Sequence, residues 1–529
     1  MSSVRKSELK NALLKLIDNA HTLAISEDSN FREILSAYSV CYDELSKDEQ
    51  EKLSLHFWEI IKSTKMPLIE VNNDGSAQVY FLYRKQKENG KDLYIQGDFH
   101  GYGSTLSSQL LNRVGNTDVM CCITPMKKEL ENALITYHFV EVPPKHRDQR
   151  ADYFYKEHPE FKEVVDTNWL PDPHSKHSKA FDKRENQFCV NAGNDMTRWC
   201  TPEFHEWPTL TEIQNDPRLT HWVQNPGGQI VRGITPLFTD NENLRSIQVF
   251  KPTEQVEHIV IVNDGFAYLF CDSLNHLQNF AEKQKCALIF ISQLGGLGDS
   301  KVHPLGLRGL EYHMNVDKYS AFILEKLLPE LNKQGVLPDP HPTNMTVIGA
   351  SLSGTAALRM GLTHPDKFRQ VIAHSPSPFN KEIIDKIPDV HVIASKMRID
   401  IECGQFENPD NAQNDNLSYS HELERLLKVD MNVGLHGHQY EAWVADLDRS
   451  LLAIQNLAQK NTEESKVDAS RLSSTSFIAT SGIKVTSLSS ASPVDPLINQ
   501  SYISVTPSKD KEENTNNIVT DKQKTFTKK

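Results

Sequence analysis

The chain has 529 residues and a formal net charge of −13 at pH 7. At roughly 150 residues per domain, this length holds about two to four domains, and 38% hydrophobic with 24% charged residues excludes a wholly disordered or fibrous chain. The acidic balance argues against broad nucleic-acid or anionic-membrane binding. Apolar runs such as Ile259 to Val262 and Ala287 to Ile291 are far too short to cross a bilayer, which takes about 20 residues. Met1 to Lys10 is polar and lacks the compact apolar core of a secretory signal, so the expected location is cytoplasmic. Cys121 and Cys122 are adjacent and no CxxC pair occurs among the eight cysteines. Free thiols in a reducing compartment are expected, not a zinc ribbon or redox dithiol.

Residues 1–62 read as a helical segment, with Leu9, Leu13, Leu16 and Ile17 on one face and Leu53, Phe57, Ile60 and Ile61 on another. Residues 63–150 change to a period of two. Val79 to Tyr83, Lys91 to Ile95 and Ile135 to Val140 are predicted strands, with Asn89-Gly90 as a turn, and together they predict a small β-sandwich. Residues 151–240, rich in Asp, Asn, His and Pro, read as an ordered connector that wraps the domains. From 241 to 460, unalternated apolar strands at His258 to Val262, Cys286 to Ile291, Met345 to Ile348, Val371 to His374, Val390 to Ala394 and Arg398 to Ile401 are interspersed with helical stretches. Such strands are buried on both faces, which predicts an α/β sheet covered by helices. The Ser-rich residues 461–529 read as a flexible polar tail.

The strongest chemical signal is Met345-Thr346-Val347-Ile348-Gly349-Ala350-Ser351-Leu352-Ser353-Gly354. A buried strand runs into a tight turn and a small-residue helix, the context in which a strained elbow presents a nucleophilic serine. Gly349 avoids a Cβ clash and Ser351 stands at the tip. The base expected for it is His438, in Gly434-Leu435-His436-Gly437-His438, with His436 as the rival. A His-x-His metal pair lacks a third ligand at convincing spacing. In the chain order serine, acid, histidine, the expected acid is Glu407, just beyond the strand Met397 to Glu402 and its glycine turn; Asp410 and Glu402 are the alternatives. Two backbone N–H groups should hold the oxyanion. Leu352 supplies one, and Phe266, after the close turn at Gly265 in Asn263-Asp264-Gly265-Phe266, supplies the other.

These segments resemble the enterochelin esterase (ferric enterobactin esterase) family, in the esterase-D-like branch of the α/β-hydrolases. The resemblance spans roughly residues 70–460. It rests on Val79 to Arg84, Gly97-Asp98-Phe99, Leu111 to Val119 and Asp172-Pro173. In the second half it rests on Asp264-Gly265, Arg308-Gly309-Leu310-Glu311, the Ser351 elbow running on into Gly361 to Phe368, and Gly437-His438. It implies an immunoglobulin-like β-sandwich followed by an α/β-hydrolase domain, and ester cleavage, with an iron-siderophore complex as one substrate class. Arg308 is then a candidate anchor for an anionic substrate, with an ion pair to Glu311 as the alternative. Three positions depart from the family pattern: Ser353 replaces a glycine, Gln439 an aspartate, and Ser375-Pro376-Ser377-Pro378-Phe379 a serine-glycine-serine segment ending in tryptophans.

The expected chemistry is acyl transfer through an acyl-enzyme on a small-molecule ester, with no metal or organic cofactor. An acyltransferase using the same triad is one alternative. A catalytically weak binding or effector protein on an esterase scaffold is another, motivated by Ser353, by a partner surface in the N-terminal segment or the tail, and by a tail compatible with bacterial secretion.

Overall fold

The computed structural model describes residues 31–447 apart from 86–89, 101–107, 145–168, 180–181, 192–193, 197–198, 200–215, 225–228, 233–244, 272–275, 293–305, 338–344, 379–380, 408–414 and 446. The apolar face at Leu9 to Ile17 and the tail at 461–529 lie outside the described residues.

Two helices open the described chain, α1 (Phe31–Tyr42) and α2 (Lys47–Ser63). Ser46 starts α2 with a capping box: its N–H and Oγ reach Glu49 Oε2 at 2.9 and 2.6 Å, which supplies a partner at a helix end. Leu53, Phe57, Trp58 and Ile61 recur on one face of α2 and are buried. They pack with Phe31 and Tyr38 of α1 against Tyr80, Leu82 and Val119, so this segment forms a layer on a sheet.

That sheet belongs to a sandwich built from β1 (Leu68–Val71), β2 (Ala77–Arg84), β3 (Asp92–Gly97), β4 (Gln109–Leu110), β5 (Asn112–Arg113), β6 (Val119–Met126), β7 (Leu134–Val142), β8 (Trp169–Leu170), β9 (Ser178–Lys179) and β10 (Asp182–Cys189). One sheet runs β1-β2-β6-β5 and the other β4-β3-β7-β10-β9, with β8 also on β7. Val79 and Phe81 point from β2 into the sandwich core with Ile95, Phe139 and Phe188. Tyr80 and Leu82, one residue out of phase, meet the helices instead. Asp172, beyond β8, is buried and accepts the Tyr137 hydroxyl at 2.6 Å. Burial pushes its carboxyl up to about 6 despite that bond.

The rest of the described chain contains β11 (Leu219–Gln224), β12 (Ile230–Arg232), β13 (Arg245–Phe250), β14 (His258–Asn263), α3 (Gly265–Cys271), α4 (His276–Gln284), β15 (Cys286–Ile291), a helical run between Gly306 and Lys333, β16 (Met345–Ala350), α5 (Leu352–Thr363), β17 (Phe368–His374), β18 (Arg398–Gly404), α6 (Asn416–Leu427) and β19 (Met431–Gly434). Its nine-stranded sheet has the order β12-β11-β13-β15-β14-β16-β17-β18-β19. Pairing is antiparallel from β12 to β15 and parallel from β15 to β19. Separate apolar cores cover its two faces, as a sheet of unalternated strands requires. The chain is thus an α/β-hydrolase fold carrying an N-terminal β-sandwich and a helical layer.

Two elements differ from the sequence reading. Residues 151–240, read as a connector, contribute β8, β9 and β10 to the sandwich and β11 and β12 to the large sheet. Strand β10 was hidden by its polar sequence: buried Gln187 serves as a hydrogen-bonding partner, not as core. Val390 to Ala394, read as a strand, is a short helix. Val390 and Ala394, four apart, share its buried face while Val392 is 45% exposed, a helical spacing that five apolar residues cannot announce alone.

The seven described cysteines are buried. Among the described residues, no helix is long and apolar enough to cross a membrane.

Candidate active site

Strands β14 and β16 are parallel neighbours, in register from Ile259 opposite Met345 to Val262 opposite Ile348. Their carboxyl ends therefore deliver Asp264-Gly265-Phe266 and Ala350-Ser351-Leu352 side by side. Ser351 has φ 57° and ψ −122°, a conformation that a non-glycine residue holds only under constraint from its surroundings. Its N–H donates to His374 O at 2.9 Å, and its own carbonyl accepts from Gly354, Thr355 and Ser377 at 3.0, 3.2 and 3.1 Å. A Cβ on Gly349 would lie 2.1 Å from the Ser353 carbonyl oxygen, so the turn closes only over glycine. Leu352 and Phe266 sit at the starts of α5 and α3, the helix ends that favour negative charge.

His438 and Glu407 meet above the ends of β18 and β19. His438 Nδ1 is 2.6 Å from Glu407 Oε2. Glu407 also receives Asn416 Nδ2 on Oε2 at 2.9 Å, and Ser375 Oγ and the Gly404 N–H on Oε1 at 2.5 and 3.0 Å. Burial pushes this carboxyl up, but the neighbouring His438 and these donors outweigh it and hold it down at about 2. An ionised Glu407 takes the Nδ1 hydrogen of His438, which leaves Nε2 as the basic nitrogen. Trp443 packs edge-on to the His438 ring, 4.8 Å between centroids, and donates its indole N–H to Ser375 Oγ at 3.0 Å.

The rival histidine has another assignment. His436 Nε2 forms a very short contact with Glu402 Oε1, and its Nδ1 lies 2.7 Å from Gly437 O. Burial lowers its ring and the charge of Glu402 raises it more, to about 9. A buried imidazolium paired in this way has no nitrogen left to accept a proton at neutral pH. His438, whose side chain is 17% exposed against 2% for His436, is the one that remains accessible. Glu402 is thus spent on His436, and Asp410 lies outside the described residues.

The loop that carries His438 is braced by the sandwich. Leu134 of β7 donates its N–H to Leu435 O at 2.9 Å. Gln439, buried, accepts on Oε1 from Thr136 Oγ1 and Gln187 Nε2 at 2.6 and 2.8 Å and donates to Leu134 O at 3.2 Å. A Cβ on Gly437 would come within 2.5 Å of the Asp98 carboxylate, so the loop approaches the sandwich closely at this glycine. The departure from the family pattern at Gln439 has a physical reason: this position needs a donor and an acceptor together.

Arg308 is committed to the scaffold. Its Nε lies 3.1 Å from both oxygens of Asp264, and its Nη2 donates to Asp264 Oδ2 at 2.7 Å and to Ala350 O at 3.1 Å. The alternative pairing with Glu311 does not form, because Glu311 pairs with buried Arg245. Ser353 is fully buried; its Oγ accepts from the Ala350 N–H at 2.8 Å and lies 2.7 Å from Asp264 Oδ2. The sequence reading assigns no role to Asn416 or Trp443, and notes Ser375 only as the start of a segment that departs from the family pattern. What they do for Glu407 is a matter of tertiary contact, since none lies within eight residues of it. Among the described residues, no cluster of His, Cys, Asp and Glu could hold a metal ion.

A family model described as "Putative esterase" matches residues 311–454, the stretch holding Ser351, Glu407 and His438. No curated protein sequence matches the chain. Among solved structures, the enterobactin esterase of Shigella flexneri in the presence of enterobactin is 16% identical, over 76% of this chain and 98% of that one, with a TM-score of 0.51. The same esterase in the presence of 2,3-di-hydroxy-N-benzoyl-serine is 17% identical over the same shares, with a TM-score of 0.51. The ferric enterobactin esterase of Salmonella typhimurium is 16% identical, over 74% of this chain and 97% of that one, with a TM-score of 0.50. What is shared at these identities is the fold.

Proposed function

We propose that this protein is a serine hydrolase of carboxylic esters. The observation that carries the reading is the arrangement at one edge of the sheet: Ser351 at a positive φ ahead of a helix, and His438 held by an enclosed, ionised Glu407. Ser351 Oγ attacks the ester carbonyl while His438 Nε2 takes its proton. The Phe266 and Leu352 N–H groups hold the oxyanion of the tetrahedral intermediate. The intermediate collapses as His438 protonates the departing alcohol, and water repeats the sequence to release the acid and free Ser351. This chemistry needs no metal or organic cofactor.

A siderophore-type ester is the substrate class to test first, since the fold neighbours include esterases studied with enterobactin and 2,3-di-hydroxy-N-benzoyl-serine. Iron would then enter as part of the substrate.

The test is labelling of the purified chain with a fluorophosphonate, beside Ser351→Ala and His438→Ala, and a short-chain aryl ester assay on the same samples. Labelling and turnover that vanish in Ser351→Ala and collapse in His438→Ala are expected. A folded wild-type protein that neither labels nor turns over the ester would sink the reading. A catechol trilactone offered to the active enzyme, with products weighed by mass spectrometry, then tests the substrate class.

A further inference from the structure

The β14–β16 ladder ends at Val262 opposite Ile348, before either segment reaches the chemistry. Beyond it the two backbones diverge, one into α3 and the other through the elbow into α5. Two side chains span the gap between Asp264 and Ala350: Arg308, as described, and Ser353. The Ser353 hydroxyl lies 2.8 Å from the Ala350 carbonyl and 2.7 Å from Asp264 Oδ2. It has one hydrogen to give. The carboxylate is the stronger acceptor, and the Ala350 carbonyl already receives Arg308 Nη2 at 3.1 Å. Ser353 therefore donates to Asp264 and accepts the Ala350 N–H. One hydroxyl ties the residue preceding Ser351 to the residue two before Phe266.

Asp264 is a firm anchor for this tie. Its carboxylate also holds the Arg308 fork and the Tyr440 hydroxyl, the latter at 3.1 Å. Its backbone sits at φ 52°, with its N–H on the Tyr312 hydroxyl at 3.2 Å and its carbonyl receiving the Ala267 N–H at 2.8 Å. With full burial, Ser353 is out of reach of a substrate and cannot act as a second nucleophile.

We infer that Ser353, standing where the elbow motif carries glycine, is a positioning residue that fixes the spacing between the two backbone donors of the oxyanion hole. The inference rests on the ester-hydrolase reading above. With glycine at 353, the Ala350 N–H loses its Oγ acceptor and Asp264 loses one of its donors, so the side-chain link between Asp264 and Ala350 is left to Arg308 alone. Donors that drift lose their grip on a developing oxyanion far more than on a bound ester. The signature is a fall in kcat without a matching rise in KM.

The experiment compares wild type, Ser353→Gly and Ser353→Ala, each checked for a cooperative thermal transition and assayed below it. It reads kcat and KM on an aryl ester and the inhibition constant of an aryl boronic acid, which forms a tetrahedral adduct on the serine. Expected is a kcat lower by about 10- to 100-fold, KM within about threefold, and boronate affinity falling in step with kcat/KM. Should neither Ser353 variant fold, Ser353→Cys keeps a side chain of similar shape with a weaker donor and acceptor, weakens the same two bonds and is expected to give the same split. A folded variant with kcat and boronate affinity within twofold of wild type overturns the inference, as does a change confined to KM or to melting temperature. Wild-type protein that fails to label with fluorophosphonate overturns the hydrolase reading and this inference with it. Active wild type beside an unaffected Ser353→Gly overturns this inference alone.

Discussion

His438 Nδ1 lies 2.6 Å from Glu407 Oε2, and the carboxylate it meets is fully enclosed yet ionised. Four donors make that state tolerable: His438, Asn416, Ser375 and the Gly404 N–H. Glu407→Gln keeps the shape of the side chain but offers His438 an amide that can orient it in the wrong tautomer. Turnover of an aryl ester is expected to fall by about 10³-fold or more while the protein stays folded. Steady-state kinetics with circular dichroism on the same preparation checks this; a variant within tenfold of wild type would remove Glu407 from the triad.

The two His–Glu pairs set opposite limits on stability with pH. Glu407 is lowered from 4.5 to about 2, so its contribution is fully present above about pH 4.5 and is lost as pH falls towards 2. His436 is raised from 6.5 to about 9, so its contribution is fully present below about pH 6.5 and is lost as pH rises through 9. Melting temperatures measured across both ranges should decline on each side, the acid decline flattening in Glu407→Gln and the alkaline decline in His436→Gln. A wild-type curve level between pH 6.5 and 9 would contradict the assignment of His436 as a buried cation.

Arg308 is expected to behave as part of the scaffold. Arg308→Gln strips the fork from buried Asp264, and breaking such a pair costs about 3–5 kcal/mol when one charge is left behind. The melting temperature should drop sharply, and any change in KM should be the same for a neutral and an anionic aryl ester of equal size. A KM that rises selectively for the anionic ester would restore Arg308 as a substrate anchor.

Gln439→Asp restores the residue that the family pattern carries. Here it would set a buried carboxylate against the Leu134 carbonyl, which now accepts from Gln439 Nε2. A destabilisation of about 3 kcal/mol is expected, with a lower kcat because His438 is the adjacent residue. Urea unfolding and ester kinetics read the two effects, and an aspartate variant as stable as wild type would show that the amide is not needed at the junction with the sandwich.

How much of this was legible beforehand follows from the range over which each signal acts. The elbow could be read because strand, turn and small-residue helix are contiguous between Met345 and Thr363, and local backbone preference governs each. Strand β10 could not: only Phe188 and Cys189 at its end are apolar and enter the core, and Gln187 beside them is buried with a hydrogen bond to the distant Gln439, which hydrophobic periodicity does not register. The helix at Val390 to Ala394 was misread because five apolar residues fit either period.

The sequence by itself determined the α/β order of the second half, the serine at the strand-to-helix turn and the short set of histidines and carboxylates able to serve it. Those are matters of residue type, period and chain order. Only the tertiary structure decided that Glu402 closes on His436 and Glu407 on His438, that Arg308 turns to Asp264 while Glu311 takes Arg245, and that Ser353 has a bond to make. Pairing between groups tens of residues apart depends on distance, burial and competing donors, and these exist only once the strands have been brought side by side.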